Sequence, residues 1–76
     1  MRTKVMPEMD MEDISSKLFK AYKNGLIVLY QEKYRDIQGI APAIQTSKVL
    51  GYVEDKIVFE KNTQIDLANI QWCELQ

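Results

Sequence analysis

The side chains best suited to catalysis or metal binding are scarce in this sequence. Its 76 residues include no histidine and a single cysteine, Cys73. The usual zinc ligand sets, c-type haem attachment, a Cys–His nucleophile pair and a disulfide framework all need more of these residues. Cys73 lies between Trp72 and Glu74 with no histidine to activate it, so a buried structural thiol is the preferred interpretation. We expect no metal, no other cofactor and no enzymatic activity.

Adjacent carboxylates occur at Glu12-Asp13 and at Glu54-Asp55. The first pair suits the start of a helix, where the helix dipole favours negative charge, and the second suits a turn. The three glycines lie too far apart to form a phosphate-binding loop. A general acid or base would also need a pocket, and a small barrel fills its interior with side chains. Neither carboxylate pair therefore predicts acid–base catalysis.

Three lysines, Lys17, Lys20 and Lys23, would share one side of a helix and could contact nucleic acid together with Lys33 and Arg35. The chain as a whole has 10 lysines and arginines against 11 acidic residues, a net charge of −1. Proteins that bind the phosphate backbone usually carry a basic excess. Lysines late in a helix are also explained by the helix dipole. A solvated helix face is therefore preferred, and a nucleic-acid surface stays as the alternative.

The element that must position these lysines is a helix that starts after Asp10 and ends at Asn24-Gly25. Asp10 is a suitable N-cap, and both closing residues tolerate the left-handed conformation of a C-terminal cap. Met9 and Ile14 have the spacing of a hydrophobic staple. The residues expected to face the core lie within an arc of about 100°: Met11, Ile14, Leu18, Ala21 and Tyr22.

From residue 26 onward, short apolar segments follow the period of β-strands and are separated by brief polar turns. Gly39 indicates a bend, and Pro42 ends the strand that contains it. Short turns favour antiparallel pairing. We predict an α+β fold, an N-terminal helix followed by a strongly bent five-stranded antiparallel sheet or a small barrel. The strand-like segments are Leu26–Tyr30, Tyr34–Ile40, Lys48–Glu54, Ile57–Phe59, Thr63–Leu67 and Ile70–Leu75.

The chain has the length of one domain, and we expect a flexible lead-in over residues 1–9 and a single small domain over residues 10–76. The longest apolar run, Leu26–Tyr30, is far shorter than the roughly 20 residues of a membrane helix. Arg2 and Lys4 have no apolar stretch behind them, unlike a secretory signal. A lone cysteine fits a reducing compartment. We therefore expect a cytoplasmic protein without membrane association.

Five segments together have the apolar spacing of a known family: Ile14–Leu18, Ile27–Tyr30, Ile37–Ile40, Asp55–Phe59 and Ile65–Ile70. Met6-Pro7-Glu8 is similar to a Pro-Glu element upstream in the same family. The pattern resembles the bacterial YolD-like family and, more broadly, the Sm-like barrels. This resemblance implies a small SH3/Sm-like barrel. It also implies a non-catalytic accessory protein, linked in bacteria to the DNA-damage response and Y-family polymerases, that acts by protein contact.

The candidate partner-binding residues are Met6, Met9 and Trp72. Met-rich mobile segments make adaptable contact surfaces. For Met6, partner contact and packing weigh equally, whereas packing at the helix start is favoured for Met9 and Met11. Trp72 either belongs to the core or anchors a sheet edge to a partner.

We therefore predict a non-catalytic protein-interaction module, accessory or regulatory, with a protein partner. Self-association as a homodimer through an exposed edge strand would add core to so short a chain. A second version of this prediction is a phage- or mobile-element-encoded inhibitor of a host protein. The alternative is an Sm-like nucleic-acid binder that uses Lys17, Lys20 and Lys23.

Overall fold

One helix precedes a five-stranded antiparallel sheet in the computed structural model, which describes residues 5–33 and 42–76. The strands are β1 (Ile27–Glu32), β2 (Gln45–Val53), β3 (Lys56–Phe59), β4 (Thr63–Asp66) and β5 (Ile70–Leu75). Their order across the sheet is β4-β3-β2-β1-β5. The predicted α+β class is confirmed. The sheet is open and does not close into a barrel, because β4 and β5 lie at its opposite edges.

Helix α1 spans Met11–Asn24, the range predicted from the capping residues. Asp10 is extended and its carbonyl accepts the N–H of Ile14 at 3.0 Å, but its side chain makes no cap hydrogen bond. Gly25 ends the helix in the left-handed conformation, with φ 63°, and donates its N–H to the carbonyl of Ala21. Among the described residues, no helix has the length and apolar character needed to cross a membrane.

The strands follow the predicted order with shifted ends. β1 continues through Gln31 and Glu32, which were expected to begin a turn, because Gln31 is buried within the sheet. β2 starts at Gln45, earlier than predicted, since Gln45–Lys48 pair with β1. A 3-10 helix, Leu67–Asn69, follows β4. The predicted strand Tyr34–Ile40 with Gly39 lies outside the described residues.

Strand β2 carries the bend of the sheet. Its first half pairs with β1 up to Lys48, and its second half pairs with β3 from Val49 onward. The register shifts between Val49 and Gly51. At the change of partner, the Glu60 carboxylate accepts the Lys48 N–H at 3.2 Å, and the Glu60 N–H donates to Ser47 Oγ at 3.1 Å. These bonds fix the point where the sheet turns.

The core lies between α1 and the concave face of this bent sheet. Because the sheet curls, Tyr30 of β1 and Phe59 of β3 stack with ring centroids 4.2 Å apart, although β2 separates their strands. The buried apolar residues come from the helix and from all five strands: Ile14, Leu18, Ala21, Val28, Tyr30, Val49, Ile57, Phe59, Ile65, Ile70 and Cys73.

Two residues predicted to face the core from α1 are exposed instead. Met11 is 51% exposed and Tyr22 is 45% exposed, so the packing predicted for them is wrong. Met9 packs against the core at this end of the helix, as favoured, and Met11 is left at the margin. Tyr22 lies beyond the stripe of Ile14, Leu18 and Ala21, which alone is buried. The buried stripe of α1 is therefore narrower than the sequence pattern suggested.

Gly25 offers a test of the helix end. We expect Gly25→Ala to lower the free energy of unfolding by about 1 kcal/mol, because a Cβ there meets nothing within 4 Å and only the left-handed backbone is penalised. Gly25→Asn should cost less, since asparagine adopts this conformation more readily. Urea denaturation measures the loss of unfolding free energy in each variant, provided that the m-value is the same as for the native protein. Equal stability of the glycine and alanine proteins would contradict the assignment.

Candidate functional site

An open groove of about 530 Å³ separates α1 from the hairpin formed by β2 and β3. The helix forms one wall, and β2 with the following turn forms the other. The floor is formed by residues of α1, β2 and β3 and by Leu67 of the 3-10 helix. The lining residues are Glu12, Ser15, Ser16, Leu18, Phe19, Val49, Tyr52, Glu54, Asp55, Ile57 and Leu67.

Helical periodicity places one polar edge of α1 along this groove. Ser15, Ser16 and Phe19 lie three, four and seven residues after Glu12, the spacings of one helix face. The short serine side chains leave space between helix and hairpin, whereas Leu18 next to them is 1% exposed and points into the core. The groove is therefore open in its middle and has an apolar floor.

Aromatic side chains that remain accessible flank the groove. Phe19 is 52% exposed and Tyr52 is 57% exposed. Tyr52 meets Tyr22 edge-to-face, with ring centroids 6.2 Å apart and planes at 68°. We call Phe19, Tyr22 and Tyr52 the aromatic wall. Accessible apolar side chains that adjoin one another and are rimmed by polar groups are typical of interaction sites.

The charges at the groove have one sign. Glu12 lies on the helix side, and Glu54 and Asp55 lie on the turn between β2 and β3. We call these three carboxylates the acidic rim; the lining residues include no lysine or arginine. The turn is held in place because the Asp55 carbonyl accepts the N–H of Leu67 at 2.9 Å. The two carboxylates of this turn were interpreted from the sequence as turn residues only, and the fold brings them opposite Glu12.

The candidate contact residues Met6 and Met9 lie away from this groove, against β1 and β5. The Met6 N–H donates to Gln31 Oε1 at 2.9 Å, and the Met6 carbonyl accepts from Gln71 Nε2 at 2.8 Å. The Met9 N–H donates to the Gln71 carbonyl at 2.9 Å. Both methionine side chains are half-buried. The lead-in predicted as flexible thus makes specific backbone contacts over residues 6–9.

Gln31 organises this region and was not singled out from the sequence. Its side chain is fully buried, and its amide nitrogen donates to the Pro42 carbonyl at 3.1 Å while its oxygen accepts from Met6. A buried amide needs such partners, because an unsatisfied polar group inside a protein is costly. Gln31 therefore joins the lead-in to the segment that precedes β2.

Trp72 and Cys73 are neighbours on β5 with different surroundings. Trp72 is half-buried and lies outside the buried core, so its role as a partner anchor stays a prediction. Cys73 is fully buried, as predicted, and burial raises the pKa of this thiol to about 11. Its N–H donates to Met9 Sδ at 3.4 Å.

The three lysines of the nucleic-acid alternative are not equivalent. Lys17 Nζ lies 2.9 Å from Glu74 Oε1, and the hydrogen bond from Lys17 lowers the pKa of the Glu74 carboxyl. Lys20 and Lys23 are exposed on the same helix. Lys33, considered with them, pairs with Glu8 at 3.1 Å. Two of the four lysines therefore have an acidic partner within the chain.

Comparison of the chain with models of known families, with curated proteins and with solved structures gives no match. Within residues 5–33 and 42–76, no three His, Cys, Asp or Glu side chains are grouped so that they could hold a metal ion. The resemblance to the YolD-like family stays a prediction.

Phe19 and Tyr52 are the site residues that the sequence interpretation missed. Phe19 follows the buried Leu18 on α1 and lies outside the predicted apolar stripe. An aromatic residue outside that stripe is the signal that was available. Tyr52 was assigned only to a strand, and no local pattern indicates that it approaches the helix.

Gln31→Ala tests the connection between the lead-in and the sheet. We expect the free energy of unfolding to fall by about 1–3 kcal/mol, because the Met6 N–H and the Pro42 carbonyl lose their partner. Amide hydrogen exchange at Met6 should become faster by more than the global loss explains. The exposed Gln64 of β4 provides the control, and Gln64→Ala should change stability by less than about 0.5 kcal/mol. Unchanged exchange at Met6 would contradict the connection.

Comparison of the native protein with Cys73→Ala at alkaline pH tests the burial of the Cys73 thiol. The pKa of the Cys73 thiol in the folded protein lies above the ordinary 9.0. The contribution of the buried thiol to the free energy of unfolding is therefore complete below pH 9.0 and is lost as the pH rises towards about 11. The difference in unfolding free energy between the native protein and Cys73→Ala should therefore shrink over this range. Burial also raises the pKa of Tyr30, but this effect is common to both proteins. A constant difference between them would contradict the burial argument.

Proposed function

We propose that this protein is a non-catalytic, intracellular protein-interaction module whose binding surface is the groove between α1 and the β2–β3 hairpin. The supporting observation is the aromatic wall, in which Phe19 and Tyr52 stay more than half exposed beside a buried apolar floor. A small domain gains stability by burying such side chains. Their exposure therefore favours a surface that is completed by a partner.

The polar groups of the groove support binding rather than catalysis. Glu12, Glu54 and Asp55 are all exposed to solvent, as are Ser15 and Ser16. Catalytic acids and bases usually owe their altered acidity to burial or to a close charged neighbour. Solvated carboxylates around an apolar floor resemble the polar rim of a protein interface.

An accessory role of the kind implied by the YolD-like resemblance and the inhibition of a host protein both require a protein contact. The groove provides a surface for either of them. The candidate residues Met6, Met9 and Trp72 do not line the groove. Of these three residues, we retain only the exposed part of Trp72 as a second contact with the partner.

Site-specific photo-crosslinking tests this function. A photoreactive phenylalanine analogue replaces Phe19 in one protein and Leu50, which is 55% exposed and does not line the groove, in a control protein. In cells that encode this chain, we expect position 19 to form a covalent adduct with a different protein and position 50 to form none. Mass spectrometry identifies the adduct.

Competition shows whether the adduct depends on the groove. Excess native protein should suppress adduct formation, as should excess Leu50→Ser, whereas excess Phe19→Ser should not. Phe19→Ser should fold normally, because substitutions of exposed residues change stability by only about 0.5 kcal/mol. Adducts that form equally from both positions, or that join only copies of this chain, would contradict the proposed function.

A further inference from the structure

The charge and shape of the groove specify the chemistry of the partner. Resting on the proposed function, we infer that the groove binds a segment of another protein in which lysine or arginine flanks large apolar side chains. The occupant is thus a basic, apolar peptide segment that lies between the helix and the hairpin, where it can contact both the aromatic wall and the acidic rim.

Charge complementarity supplies the first argument. The groove has carboxylates on both walls, Glu12 on the helix and Glu54 with Asp55 on the turn, and no basic residue among its lining. An incoming cation therefore meets negative charge on either side, whereas an acidic segment meets only like charge. Such like-charge contact costs free energy and is a common source of specificity.

The aromatic wall supplies the second argument. The floor residues Leu18, Val49 and Ile57 are already buried, so the apolar area that a partner would newly cover belongs mainly to Phe19 and Tyr52. Aromatic side chains of this kind dominate the energetics of many interfaces. They also interact favourably with a guanidinium or ammonium group placed over the ring. Apolar and cationic side chains are therefore both accommodated.

The openness of the groove favours a peptide over a small molecule. Sites for small ligands usually enclose most of the ligand surface and direct a few polar groups inward. Here the volume of about 530 Å³ is open to solvent, and the polar lining residues lie on the exposed rim. A peptide segment can place one or two side chains on the floor while its backbone stays solvated.

A second copy of this chain that presented the basic face of α1 fits less well. Lys17 of that face is held by Glu74, and the interleaved positions Asp13, Ser16 and Asn24 are polar. The exposed Phe19 next to this face already lines the groove. That face therefore offers mainly charge to the acidic rim, and a dimer through another face is an outcome of the test below.

Peptide display provides the test. The complete chain is immobilised and used to select from a library of random twelve-residue peptides, and enriched peptides are synthesised for fluorescence anisotropy. We expect enrichment of lysine and arginine next to tryptophan, phenylalanine, leucine or methionine. Phe19→Ser should weaken binding by about tenfold or more, the change typical of an interface hot spot. Leu50→Ser should bind like the native protein.

Charge variants distinguish the effect of the acidic rim on binding from the effect of the net charge. The triple variant E12Q/E54Q/D55N should weaken binding by about fivefold or more and reduce its salt dependence. The matched control D10N/D13N/D66N removes three exposed carboxylates that do not line the groove and should leave both unchanged. Circular dichroism and denaturation midpoints confirm folding of every variant.

The remaining outcomes each overturn the inference in a recognisable way. Enriched peptides that depend on Phe19 but carry no basic excess would refute the partner chemistry and leave the proposed function intact. A concentration-dependent dimer that Phe19→Ser dissociates would also refute the partner chemistry. The proposed function would still stand if position 19 continued to crosslink to another protein. If the native protein enriches no peptides beyond those that Phe19→Ser also enriches, a peptide segment is refuted as the occupant. Failure of the crosslinking at position 19 as well refutes the proposed function.

Discussion

In the part of the chain that the structure describes, a single helix has to cover five strands, and much of the structure follows from that constraint. At 14 residues, α1 is about 21 Å long and about 10 Å thick, whereas five strands about 4.8 Å apart make a sheet about 20 Å wide. The sheet compensates by curling at β2, so that Phe59 stacks on Tyr30 and Ile57 and Ile65 are buried. The groove is the boundary where the helix no longer reaches the curled hairpin.

Polar side chains with several hydrogen-bond partners support this arrangement where β2 changes its neighbour and where the lead-in meets the sheet. Glu60 provides an acceptor for Lys48 where β2 changes its neighbour, and there a flat ladder would leave the backbone group unpaired. Gln31 and Gln71 hold the lead-in, and Met9 occupies part of the β5 edge. An edge covered in this way is less available for pairing with another chain. The lead-in thereby covers part of one side of the molecule, away from the groove.

The sequence predicted what local chemistry determines. The helix follows Asp10 and ends at Gly25, and the hairpins after β2 have short polar turns, so both were predictable, although the Asp10 side chain makes no cap hydrogen bond. The burial of Gln31 was not, because a glutamine next to Glu32 and Lys33 has the local pattern of a turn. The groove was not predictable either, since Phe19 and Tyr52 lie 33 positions apart and line the same groove only through the tertiary fold. Tertiary contacts decided each of these cases.

The distribution of charge over the two sides of α1 explains why a net charge of −1 is a poor guide to binding. Glu12 of the acidic rim and the three lysines lie on one short helix, and Glu54 and Asp55 lie on the turn beside it. The opposite fields cancel at a distance but not at contact. A partner in the groove contacts the lining residues Glu12, Glu54 and Asp55, whereas Lys20 and Lys23 are not among the lining residues. Because Glu74 already holds Lys17, the basic side is the weaker of the two. The proposed recognition therefore depends on the local sign of charge beside Phe19 and Tyr52, and that sign favours a basic segment over an acidic one.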